Sequence, residues 1–164
     1  MPKPRLLFLC SHNSARSQMA QAFMNLHGGE LFEAHSAGLE PSEIHPCTYE
    51  VMREKGLDLH LLGHRSKGVW DEYISRHVLI GYLITVCDRA EADCPIYPGA
   101  HIREYWAIQN PDVQGDTSEV ACVRFREARD CIEQRVKRFV EEHSRDPRFA
   151  NMRSNRIRSE LTHE

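Results

Sequence analysis

The residues from Cys10 to Ser17, C-S-H-N-S-A-R-S, place a cysteine and an arginine six positions apart with small polar residues between them. An apolar run, R-L-L-F-L at 5–9, leads into this segment, and apolar residues at helical spacing lead out of it. In a loop between a strand and a helix, successive backbone N–H groups can converge on one tetrahedral oxyanion, and the helix N-terminus adds partial positive charge. Arg16 can grip two oxygens with its planar fork. The same field is expected to lower the pKa of Cys10 and hold it as a thiolate, the reactive form of cysteine. The expected chemistry is nucleophilic attack by Cys10 on an oxyanion cradled by Ser11, His12, Asn13, Ser14, Ala15, Arg16 and Ser17. The plainer alternative is a buried core cysteine at a strand end. His12 either tunes the thiolate or faces solvent.

The surrounding pattern supplies elements to hold such a loop. Residues 5–9 read as a strand and 16–27 as a helix carrying Met19, Ala20, Phe23, Met24 and Leu26, closed by Gly28-Gly29. F-E-A-H-S-A-G at 32–38 reads as a second strand. Pro46 suits the first position of a helix reaching about Lys55, with Val51 and Met52 inward and Gly56 as its stop. A short helix is expected over 69–75 and a fully buried strand over 78–86, ending at Cys87 as the first strand ends at Cys10. A Pro- and Gly-containing loop leads to a fourth strand at 101–108. A long helix over about 118–142 follows, with Ser118 as its cap and Val120, Val123, Ala128, Ile132, Val136 and Phe139 on one side. The alternation predicts a single α/β domain, a four-stranded parallel sheet flanked by helices on both faces, with ligands at the carboxyl ends of its strands.

The chain has 164 residues, which suits one domain, taken as 1–143. Residues 144–164 carry five arginines against three acidic residues and read as an appended basic tail. A formal charge of −3 gives no reason to expect a nucleic-acid or membrane-surface partner, so any anion site must be local. The apolar run near the N-terminus is too short for a signal segment or a membrane span, and a cytoplasmic location is expected. In that compartment the six cysteines (Cys10, Cys47, Cys87, Cys94, Cys122, Cys131) are expected to serve catalysis, metal binding or packing rather than structural bridges. Cys47, Cys122 and Cys131 fall on expected helices and read as packing residues. The ten histidines include no i, i+4 pair on one expected helix, so no metal site is expected.

With these motifs in view, the chain resembles the low-molecular-weight protein tyrosine phosphatase superfamily, and within it the thioredoxin-coupled arsenate reductases. The resemblance runs from about Leu6 to Glu142 through F-L-C-S-H-N-S-A-R-S-Q-M-A, H-S-A-G, L-I-T-V-C-D-R-A-E-A-D-C-P and Y-W-A-I-Q-N-P. It implies that Cys10 is the nucleophile, Arg16 the main oxyanion ligand, Asn13 the residue shaping the loop and Ser17 a hydroxyl supporting the thiolate. It implies no organic cofactor, and an alkali-metal ion to which Asn13 and Ser36 contribute in related reductases.

A reductase must also supply two electrons, and Cys87 and Cys94 suit that task. The expected relay runs from attack of Cys10 on arsenate, through Cys87 releasing arsenite, to Cys94 resolving the Cys10–Cys87 bond. A Cys87–Cys94 disulfide remains, to be reduced by thioredoxin or a similar dithiol. Seven helical residues would separate the two by about 10.5 Å, beyond disulfide reach, so the segment between them must rearrange. Zinc binding by the pair is disfavoured by spacing.

The chain departs from its relatives in two places. The Asp-Pro pair that supplies the phosphatases' proton donor is Asn110-Pro111, and an asparagine cannot donate that proton; Asp112 would have to move in. The usual second cysteine of the loop is Ala15. The rival readings are a protein tyrosine phosphatase and a non-enzymatic oxyanion-binding module.

Overall fold

The computed structural model describes residues 2–147. Four parallel strands, β1 (Arg5–Cys10), β2 (Glu33–Gly38), β3 (Tyr82–Thr85) and β4 (Ile102–Tyr105), form one sheet in the order β2-β1-β3-β4. The helices are α1 (Arg16–Gly28), α2 (Pro46–Arg53), α3 (Asp88–Ala92) and α4 (Ser118–Ser144), and a π-helical turn spans Trp70–Ile74. Parallel strands cannot be joined by tight turns, so each link is a crossover, and the chain reverses its direction of travel between β2 and β3. That reversal opens a crevice at the carboxyl ends of β1 and β3, where Cys10 and Cys87 stand.

Both faces of β1 are covered, since Leu6, Leu7, Phe8 and Leu9 are all fully buried. On one face α1 holds β2 through Asn25, whose side chain bonds the backbone of Ala34, and through Gln21, which accepts from Ser36 Oγ. The same side carries α4, whose Phe139 packs against Phe32, Tyr82 and Trp106. His35 points the other way, to the hydroxyl of Tyr73 on the π-helical turn (3.1 Å). Alternating side-chain direction along β2 thus gives helices on both faces, as expected.

Several expected boundaries move. Strand pairing in β3 covers only Tyr82–Thr85; residues 78–81 lie outside it, and Leu79 is exposed. An apolar run shows burial preference but does not supply a partner strand, and β1 and β4 pair only with the last part of this one. The long helix is capped by Thr117, whose hydroxyl accepts from Val120 N, rather than by Ser118. Val120 and Val123 face solvent; the inward face is Ala121, Cys122, Phe125, Ala128, Arg129, Ile132, Val136 and Phe139. Leu26 of α1 is likewise exposed. The expected tail lies almost wholly outside the described residues, and Ser144 still belongs to α4.

The cysteine assignment also needs correction. Cys47 of α2 and Cys122 of α4 form a disulfide, with Cα atoms 5.2 Å apart, inside the range a bridge requires. Neither is simply a packing residue, because α2 and α4, far apart in sequence, dock side by side. Cys131 remains free and exposed.

Candidate active site

The segment after β1 folds as a tight loop around the Cys10 sulfur. Asn13 sits at φ +53°, a left-handed conformation that asparagine tolerates better than most residues, and this turns its backbone N–H toward Cys10 Sγ (3.1 Å). Ser17 Oγ lies 2.8 Å from the same sulfur and accepts a hydrogen bond from Asn13 Nδ2 (2.8 Å). Asn13 Oδ1 accepts from Lys67 N (2.9 Å) and Gln18 Nε2 (2.8 Å). Asn13 thus ties the loop to α1 and to the 65–67 segment, and it is fully buried with all its polar atoms occupied.

Outer contacts fix the loop's remaining carbonyls. Ser11 O accepts from Glu40 N, His12 O from Ser66 Oγ, and Ser14 O from both His45 N and Thr48 Oγ1. Gly38 is required by close approach, since a Cβ there would lie 2.8 Å from Asn13 N and 2.9 Å from Ser11 O. The H-S-A-G motif therefore ends in the glycine over which the loop folds.

Cys10, Ser11, His12, Ser14, Ala15, Arg16, Arg89, Asn110 and Asp112 line a hollow of about 180 Å³. The N-terminal end of α1 opens here, with no side-chain cap on its first turn, so a negative group in the hollow would meet its unpaired N–H groups. Arg16 Nη1 donates to Ile108 O (3.0 Å) and more weakly to Val86 O (3.5 Å). Arg89 adds a second cation at the rim, held by Glu40 (2.6 Å). Of the expected cradle residues, Asn13 and Ser17 serve the sulfur and the loop's shape rather than the lining.

Protonation of Cys10 differs from expectation. Burial pushes its thiol above the ordinary value and outweighs the hydrogen bond from Ser17; Cys87 adds to the rise, and the Asn13 N–H opposes it. The physical reason is that the sulfur is almost completely buried while Arg16, which lines the same hollow, is turned toward two backbone carbonyls.

Cys87 follows β3 and caps α3, accepting from Ala90 N (3.3 Å), and its sulfur lies 3.4 Å from Ser11 Oγ. The structure therefore brings Cys87 to the rim of the Cys10 loop. Cys94 is not brought there. It lies beyond α3, half buried, with its thiol directed to Pro95 O (3.5 Å), and burial pushes that thiol upward too.

Of the expected alkali-metal contributors, Asn13 already receives two N–H donors at its side-chain oxygen, whereas Ser36 donates to Gln21 and keeps its own oxygen lone pairs. Nearby, the half-buried Lys67 ammonium donates to Arg65 O (3.1 Å), which Gln18 Nε2 also reaches. Burial holds Lys67 down at about 8, and burial together with Lys67 holds His64 at about 4, so the neighbourhood already bears positive charge. Among the described residues no cluster of three His, Cys, Asp or Glu could hold a metal.

Gln18 and the 65–67 segment escaped the sequence reading. A glutamine inside an otherwise apolar helix face, directly after the anion loop, was the available signal. Besides Asn13, the partners of Gln18 are Arg65 O and the His64 ring, 47 and 46 residues away in sequence, and no local pattern announces them.

Similar proteins share this layout. The chain is 34% identical over 141 residues to an arsenate reductase of Bacillus licheniformis, covering 86% of this chain and 98% of the relative. A solved arsenate reductase in a phosphate-binding state superposes with a TM-score of 0.65 at 29% identity, covering 85% of this chain and 98% of that one. A thioredoxin-dependent arsenate reductase of Corynebacterium glutamicum gives a TM-score of 0.63 at 29% identity, covering 86% of this chain and 62% of that longer one. The sequence profile of the low molecular weight phosphotyrosine protein phosphatases matches residues 5–148. With the strand–loop–helix geometry around Cys10 and a match over nearly the whole described chain, this protein belongs to the low molecular weight phosphotyrosine protein phosphatase family.

Proposed function

We propose that the protein reduces arsenate to arsenite by a thiol relay and is regenerated by thioredoxin or a similar dithiol in the cytoplasm. The observation that carries this reading is a second buried thiol, Cys87, at the rim of the Cys10 loop and 3.4 Å from Ser11 Oγ. Phosphate-ester hydrolysis through a cysteine has no use for it, whereas reduction of arsenic does. The names of the similar proteins support the same substrate.

In the relay the Cys10 thiolate forms an S–As bond and one arsenate oxygen departs as water. Cys87 then attacks the Cys10 sulfur, and the S–As electron pair leaves with arsenic, which falls from the +5 to the +3 state. Cys94 attacks Cys87, freeing Cys10 and leaving a Cys87–Cys94 disulfide. Arg16, Arg89 and the N–H groups of the loop offset the oxyanion's charge. Their field and the Ser17 hydroxyl favour the thiolate once Arg16 turns from its carbonyl partners to the substrate. No described helix is long and apolar enough to cross a membrane, which fits a protein that meets a diffusible reductant.

The test is a single turnover with arsenate and no external reductant, starting from the four free thiols Cys10, Cys87, Cys94 and Cys131. Loss of two thiols, with Cys87 mapped to Cys94, is the expected result. No loss, or a new bond that excludes Cys87, overturns the relay and returns the site to phosphatase or oxyanion-binding roles.

A further inference from the structure

Formation of the S–As bond requires a proton for the departing oxygen, and the sequence resemblance implies that the position supplying it is the one held here by Asn110. The structure gives Asn110 a different task. Its Oδ1 accepts from Asp112 N (3.1 Å) across Pro111, a side-chain-stabilised turn that sets Asp112 on the wall of the Cys10 hollow. Asp112 Oδ1 lies 3.9 Å from His45 Nε2.

His45 is itself oriented from three sides. Its Nδ1 accepts from Cys47 N (3.0 Å) as the cap of α2, so the ring proton resides on Nε2, the atom facing Asp112. Its ring stacks on Phe125 of α4 (centroids 4.4 Å apart), and its backbone N–H holds Ser14 O of the anion loop. The Cys47–Cys122 bridge fastens the same end of α2 to α4.

We propose that Asp112, positioned by His45, is the proton donor for the first step of the reaction, replacing the acid that Asn110 cannot provide. This rests on the reading that Cys10 attacks arsenate. The charged and titratable groups facing Asp112 are His45 from α2, Cys10, His12 and Arg16 from the loop and the start of α1, and Arg89 from α3. A bound arsenate anion offsets the positive charge that Arg16 and Arg89 place beside this carboxyl. In the step, Cys10 S⁻ bonds to arsenic while an As–OH bond breaks. The departing hydroxide takes the Asp112 proton and leaves as water, and Asp112 remains as a carboxylate that accepts the Nε2–H of His45 and regains its proton from solvent. Arsenic is still in the +5 state at this point.

The test follows arsenate-dependent thiol loss in single turnovers across pH. Asp112→Asn is expected to slow the reaction by about 100-fold, at the lower end of what general acids contribute, and to abolish the fall in rate that accompanies loss of the Asp112 proton at higher pH. The double variant Asn110→Asp/Asp112→Asn, which moves the carboxyl to the relatives' position, should recover most of the rate. His45→Asn keeps a cap oxygen for Cys47 N but removes the Nε2–H, and should shift the pH profile with a smaller loss. Should Asp112→Asn fail to fold, Asp112→Glu replaces it, with the high-pH decline expected to persist. Asp112→Asn within twofold of wild type, or slowed with an unchanged pH profile and no recovery in the double variant, overturns the proposal. If wild type and Cys10→Ser alike lose no thiol to arsenate, the arsenate-reductase reading itself falls; if only the Asp112 comparison fails, that reading stands.

Discussion

Cys10 is buried and its thiol is held above the ordinary range, so the groups that touch its sulfur decide how readily it ionises. Ser17 Oγ, 2.8 Å away, is the foremost of those that favour the thiolate. Ser17→Ala is expected to raise the midpoint of the pH dependence of Cys10 alkylation by about one pH unit, since one hydrogen bond contributes about 1–1.5 kcal/mol and one unit corresponds to about 1.4 kcal/mol. A midpoint unchanged from wild type would show that Ser17 does not act on the sulfur. Linkage follows from the same burial. With its folded-state value raised, Cys10 opposes folding as pH climbs above the ordinary thiol value, because the unfolded chain releases that proton first. At this scale the sequence was informative about residue types and poor about their state. The spacing of Cys10 and Arg16 pointed to an anion loop, but the direction of the Arg16 guanidinium depends on the carbonyls of Val86 and Ile108, far along the chain.

At the scale of elements, α2 carries more than its eight residues suggest. It caps on His45, holds Ser14 of the anion loop through Thr48 and His45, and is bridged to α4 by Cys47–Cys122 across a sequence separation of 75. A link closing so long a loop restricts the unfolded chain, and its removal is expected to cost about 2–4 kcal/mol. Urea unfolding of the oxidised protein and of Cys47→Ser should show this as a lower midpoint, and peptide mapping without reductant should recover the cross-linked pair. Equal midpoints would deny the bridge a stabilising role. The α3 segment sets the opposite requirement. Its helical turn, in which Glu91 N donates to Cys87 O and Asp93 N to Arg89 O, must open for Cys94 to reach Cys87. Hydrogen exchange should show the amides of Ala90, Glu91 and Asp93 losing protection after arsenate turnover while those of β1 and β3 keep theirs. Unchanged protection at α3 would argue against a Cys87–Cys94 bond.

Across the whole molecule, the 64–67 segment fastens the anion loop to the rest of the fold through neutral groups: the His64 ring, Arg65 O, Ser66 Oγ and Lys67 N. His64 accepts no proton readily, being held at about 4 by burial and by Lys67, while its ring meets Gln18 Oε1 at 2.9 Å. A histidine whose folded-state value lies below its unfolded one is protonated first in the unfolded chain, so stability drains as pH falls from about 6.5 toward 4. The thermal midpoint is expected to drop over that window, and His64→Gln, which keeps a polar partner for Gln18 but cannot be protonated, should flatten the decline; a parallel decline in the variant would assign it to other groups.

The amino-acid sequence alone determined the alternation of strand and helix, the parallel sheet and the loop at the end of β1. These are written in local signals: apolar periodicity of two or 3.6 residues, glycine and proline at element ends, and small polar residues before a helix. The tertiary structure decided which thiols meet. Cys87 was legible because it ends a strand beside β1. Cys47 and Cys122 were not, because each looks like an ordinary helix residue until α2 and α4 pack together. The same holds for Gln18, Lys67 and His45, whose partners come from other elements. Burial, ionisation and hydrogen-bond pairing depend on neighbours that folding supplies, and a linear pattern carries no record of them.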